Sequence, residues 1–102
     1  MSNIRPAQTA LIARILQGKA DTTPALRQAA FANSDLSRPL AALLGKVASH
    51  AHSVTDADIA AARAAGLSED ELFELVVCTA IGQASRQYDA ALAALDAACA
   101  KE

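Results

Sequence analysis

The chain has 102 residues, 53% of them apolar, and a formal net charge of -2. That bounds it to one domain, spanning 1–102, with a core of modest size. No stretch approaches the ~20 apolar residues that cross a membrane, the opening MSNIRPAQTA carries no apolar signal region, and no basic stripe offers a nucleic-acid footprint. The expectation is a cytoplasmic protein with neither a membrane nor a nucleic-acid partner.

About a quarter of the residues are alanine, and Phe31, Phe73 and Tyr88 are the only aromatic ones. Alanine is the best helix former, and its small side chain lets helices approach closely. A chain this small and this apolar carries more greasy surface than it can cover alone, so a homo-oligomer is expected.

Five helical segments and no strand are expected. The first spans residues 7–17, with Leu11, Ile12, Ile15 and Leu16 on one face, Pro6 at its start and Gly18 at its end. The second opens at Thr23 as N-cap with Pro24 in the first helical position, and stops near Asn33 and Ser34. The third begins around residues 37–39 and runs to about His52, with a stripe of Leu40, Leu43, Leu44, Val47 and Ala51 at helical spacing.

The fourth helix starts at Thr55, where Thr55 and Asp58 fit a capping box and Val54 with Ile59 a hydrophobic staple. It ends at Gly66, a residue that adopts the left-handed C-terminal conformation without steric cost. The fifth repeats this grammar, with Ser68 and Glu71 as the box, Leu67 and Leu72 as the staple, and three acidic residues complementing the helix dipole. It then continues without proline towards the C-terminus; Gly82 and the polar residues 83–87 mark the easiest place for a kink or break.

The run KVASHAHSVTDADIAAARAAGLSEDELFELVVCTAI, residues 46–81, resembles the core of the alkylhydroperoxidase D-like, or carboxymuconolactone decarboxylase, family. The likeness extends over roughly residues 12–95, and its most specific part is VTDADIAAARAAGLSEDELFEL. It implies an all-α, compact bundle of about five helices that commonly assembles into oligomers. Peroxidatic members of the family carry a C-x-x-C motif followed four residues later by His. The matching positions here are Ala51, Val54 and Asp58, so the nucleophilic sulfur, the resolving sulfur and the proton carrier of that chemistry are all missing. Local roles account for the replacements: Ala51 in an apolar stripe, Val54 as staple, Asp58 as cap partner.

The remaining reactive side chains form no obvious constellation. His50 and His52 lie near the vanished motif, but about 200° apart on a continuous helix they cannot chelate one metal together. Were the helix to unwind over residues 49–53, His50 with Asp56 or Asp58 would make a proton-handling pair, and Lys46, one turn earlier, would line the same edge. Glu74, among Leu72, Phe73, Leu75 and Val76, is a candidate acid whose pKa would rise if it turned inward. Cys78 is a candidate lone nucleophile. His52, Asp58 and Arg86 are weak ligand-binding candidates, Arg86 as a partner for Asp89 or an anion. Cys78 and Cys99 lie 21 residues apart in a helical stretch, roughly 30 Å, and are not expected to pair. No Gly-rich phosphate loop, metal-spaced cluster or GxSxG occurs, so neither cofactor nor metal is expected.

The first functional expectation is therefore a non-redox domain that holds a partner or a small molecule and does no thiol chemistry. The alternative is a decarboxylase-like enzyme using acid–base groups from His50, Lys46 or Glu74. Third is a peroxidase working through Cys78.

Overall fold

The computed structural model describes residues 4–100, and among them it is all-helical. Helices α1 (Ile4–Gln17), α2 (Pro24–Ala32) and α3 (Arg38–Ser49) are followed by a single 3₁₀ turn (Ala51–Ser53), then α4 (Asp56–Ala64) and α5 (Glu69–Ala100). Among the described residues no helix is long and apolar enough to cross a membrane.

The caps read from the sequence form as expected. Thr23 Oγ1 accepts from the Leu26 N–H at 3.2 Å, and Asn33 closes α2 in the left-handed region at φ 54°. The Thr55–Asp58 box closes in both directions, as does Ser68–Glu71. Gly66 takes φ 106° just beyond α4. Two boundaries differ from expectation: α1 begins at Ile4 rather than near Ala7, and α3 ends early. Helix α3 stops at Ser49 rather than near His52, because His50 leaves helical geometry at φ -147°. The fifth segment passes Gly82 unbroken.

Leu16, Ala30, Leu40, Leu43, Leu44, Ala62, Leu72, Leu75 and Cys78 are the buried apolar residues. Helix α5 is their common wall. Its crossing with α2 is so close that a Cβ on Gly82 would stand 2.0 Å from the Phe31 carbonyl oxygen. That closeness lets Thr79 donate to the Ala30 carbonyl at 3.1 Å and Arg86 to the Phe31 carbonyl at 2.7 Å. Side chains of α5 thus add bonds to carbonyls at the end of α2, the Ala30 carbonyl accepting from the Asn33 N–H as well.

The molecule is not the compact bundle expected. Its radius of gyration is 15.6 Å, against roughly 13 Å for a compact domain of this length. The 32 residues of α5 span about 48 Å, and residues 93–100 are all exposed.

Gly82→Ala must push the α2 backbone away and should cost about 1–3 kcal/mol. At Gly45, in α3, a Cβ would meet nothing within 4 Å, so Gly45→Ala should add up to about 1 kcal/mol through helix propensity. Paired thermal melts of the two variants check both signs.

Candidate functional site

The largest hollow opens where α3, the 3₁₀ turn, α4 and the start of α5 meet, with a volume of about 550 Å³. Helix α3 supplies Leu43 and Val47 from its inner stripe. The chain then breaks at His50, and the short turn aims Ala51 and Val54 into the same space. Helix α4 brings Ile59, and the first turns of α5 bring Leu72, Phe73 and Val76. The break is held locally: Ser49 Oγ donates to the Gly45 carbonyl at 2.8 Å and Ser53 Oγ to the His50 carbonyl at 2.7 Å.

The walls are almost wholly apolar. Phe73 is 70% exposed and Ile59 42%, unusual for side chains this greasy. The one charged group on the lining is Glu69, whose carboxylate accepts from Arg63 at 2.9 Å. Both partners are well exposed, and a pair so placed adds little to stability.

Lys46 and Asp58 bond each other at 2.8 Å beside this groove without lining it. The same Asp58 oxygen accepts from the Thr55 N–H and hydroxyl. The Lys46 ammonium foremost, then the Thr55 N–H, lowers the Asp58 pKa below the ordinary aspartate value. Asp58 thus serves the α4 cap and Lys46 at once.

His50 and His52 do not stand on opposite sides of a helix, because the helix has already ended; their ring centroids are 6.0 Å apart. The unwinding at residues 49–53 does occur, yet it brings His50 to Ser49 at 3.2 Å and not into a bond with Asp56 or Asp58. Among the described residues no group of three or more His, Cys, Asp or Glu side chains can hold a metal.

Glu74 turns toward the α1–α2 connection. Its carboxylate accepts from the Asp21 N–H at 2.9 Å, the Thr22 N–H at 2.9 Å and the Thr22 hydroxyl at 2.7 Å. The Thr22 hydroxyl, with these two amides, lowers the Glu74 pKa, the reverse of the rise expected for an inward-facing acid. Desolvation opposes the shift and loses, because the donors stabilise the ionised form. Glu74 thus ties the start of α5 to the α1–α2 connection.

Cys78 is 1% exposed, and burial raises its thiol pKa. It is held as a neutral thiol, the opposite of an activated nucleophile. Arg86 is engaged with the Phe31 carbonyl and, at 3.2 Å, with Gln83, so its guanidinium serves the α2–α5 crossing. Cys99 is exposed and Cys78 buried, and both are free thiols.

Arg27 and Thr22 carry no mark of importance in the composition or the motifs, yet both hold elements together. Arg27 is only 3% exposed and donates to the Gly18 carbonyl at 2.8 Å and the Ile15 carbonyl at 3.3 Å, closing the end of α1. A signal for it does exist: Arg27 stands in the inward stripe of Leu26, Ala30 and Phe31 at helical spacing.

No protein-family model matches the chain, and no curated protein or solved structure is significantly similar to it.

Since the folded-state pKa of Glu74 lies below its unfolded value, its contribution to stability is complete above the ordinary glutamate pKa of 4.5. It is lost as pH falls through the lowered folded value. Glu74→Gln, which turns one amide donor against another, should cost about 2 kcal/mol at neutral pH. It should also flatten the acid limb of a stability–pH curve measured by urea titration.

Proposed function

We propose that this chain is a non-redox domain of the alkylhydroperoxidase D-like type, whose task is to hold a small apolar molecule in the groove between α3, α4 and α5. One observation carries the reading: the positions that the resemblance aligns with the paired cysteines, Ala51 and Val54, line a hollow of about 550 Å³. The helical order, the break before α4 and the Gly66 turn support the same kinship.

The volume of the hollow lies within the ~300–1,000 Å³ typical of small-molecule sites. Burial of greasy ligand surface would supply the affinity, and Glu69 with Arg63 is the polar feature at its rim. A mostly hydrocarbon or aromatic ligand suits these walls. The acid–base alternative finds less support. Lys46 and Asp58 neutralise each other, Glu74 is committed to the Thr22 turn, and His50 lies off the lining. The peroxidase reading would need an accessible, ionisable Cys78, and burial opposes both.

1-Anilinonaphthalene-8-sulfonate, titrated against the native protein, should bind saturably with a blue-shifted emission. Phe73→Ala should weaken binding about tenfold, and Val54→Asp should abolish it with the helical circular dichroism unchanged. No saturable binding, or affinity indifferent to both substitutions, removes the reading; so does a Phe73→Ala variant of smaller oligomeric size than wild type, which would make the groove an interface. A thiol reagent should label Cys78 only on unfolding. Rapid labelling of Cys78 in the native protein would restore the thiol reading.

A further inference from the structure

The outer end of α5 extends past every other element and is greasy on all sides. Residues 89–100 read DAALAALDAACA, with Asp89 and Asp96 the only charges. Helices apolar all round are normally buried, yet Leu95 is 53% exposed and residues 93–100 are exposed throughout. The whole chain exposes 6582 Å², about 1,150 Å² more than the roughly 5,400 Å² typical of a folded monomer of its mass. A standard protein–protein interface takes about 800 Å² from each partner, so the surplus is of the size one dimer contact removes.

The sequence of α5 gives the contact its line. Ile81, Ser85, Tyr88, Leu92, Leu95 and Cys99 alternate at spacings of four and three, the seam of a helix that packs along another helix. Over its first half this seam faces α1, which covers it incompletely. An open groove of about 240 Å³ remains, walled by Leu11, Ile12, Ala84 and Tyr88 among others, and Leu11 is 51% exposed. Over its second half Leu92 is half-buried, and residues 93–100, with Leu95 and Cys99 on the seam, are exposed throughout.

We propose that two copies of this chain exchange the ends of α5 in antiparallel fashion, each laying Leu92, Leu95 and Cys99 along the α1–α5 groove of the other. A second copy is the occupant that satisfies both halves at once, because the uncovered stripe and the uncovered groove are continuous on one helix. A twofold axis near the root of the exposed segment then closes the assembly with a self-complementary interface. Parallel pairing is the poorer arrangement: it brings both α1 helices onto the shared axis and leaves both grooves open. The residues involved differ from those of the α3–α4–α5 hollow, so the inference does not depend on the ligand reading.

In this arrangement Cys99 of each copy lies near position 11 of the other, while the two Cys99 residues are roughly 20 Å apart, outside disulfide reach. Light scattering should report a dimer for wild type and a monomer for the Leu92→Glu/Leu95→Glu double variant, with helical circular dichroism retained. Diamide, which takes up the two thiol hydrogens as a disulfide forms, should convert the Leu11→Cys variant to a covalent dimer. It should leave wild type and Leu11→Cys/Cys99→Ser uncoupled. A monomeric wild type overturns the proposal, as does a dimer that survives the double glutamate substitution. A covalent dimer of wild type through Cys99 alone would mean parallel tails, and one of Leu11→Cys/Cys99→Ser would place the two α1 helices face to face; either overturns it. Should the double glutamate variant unfold, the cross-linking pattern alone decides.

Discussion

The crossing of α2 and α5 governs the rest of this structure. Gly82 removes the one side chain that would hold the helices apart, and the Phe31 carbonyl occupies the space. Once the backbones are that close, Thr79 adds a bond to the Ala30 carbonyl, which also accepts the Asn33 N–H, and Arg86 reaches the Phe31 carbonyl. Each such bond adds on the order of 1 kcal/mol net. The glycine therefore acts through the hydrogen bonds that its missing side chain permits.

The same logic recurs along the chain. Arg27, from α2, closes the end of α1 through the Ile15 and Gly18 carbonyls. Glu74, from α5, gathers the amides of Asp21 and Thr22 just before α2 begins. Lys46 of α3 reaches the capping carboxylate of α4. Helix ends here are finished by side chains borrowed from other helices, so the charged residues that a functional reading would single out are largely occupied by architecture. The groove beside Ala51 and Val54 is the complement of that arrangement: a hollow walled by hydrocarbon, with Glu69 the one charged group on its lining.

Much of the fold is legible in the sequence because it is encoded locally. Thr23, Thr55, Ser68, Asn33 and Gly66 each fix a helix boundary through contacts within a few residues, and the sequence displays those contacts directly. The end of α3 is hidden because Ala51 continues the apolar stripe, so periodicity gives no warning that His50 leaves the helix. Gly82 looks like a weak point of α5 because a helical glycine is unfavourable in isolation. Its value lies in a neighbour roughly fifty positions away, which no local rule can see. Glu74 misleads for the same reason. Burial alone argues for a raised pKa, and only the distant Thr22 hydroxyl and amides reverse the sign.

Long-range capping also bears on how the chain reaches this state. Glu74 meets Thr22 across 52 positions, and Arg86 meets Phe31 across 55. Helices α3 and α4 can form from neighbouring residues on the microsecond scale. The bonds of Glu74 to Thr22 and of Arg86 to Phe31 form only after larger loops have closed, and the entropy of closure is lost before they form. Search for non-local partners slows folding even in helical proteins, and here that closure cost falls on seating α2 and the turn before it against α5.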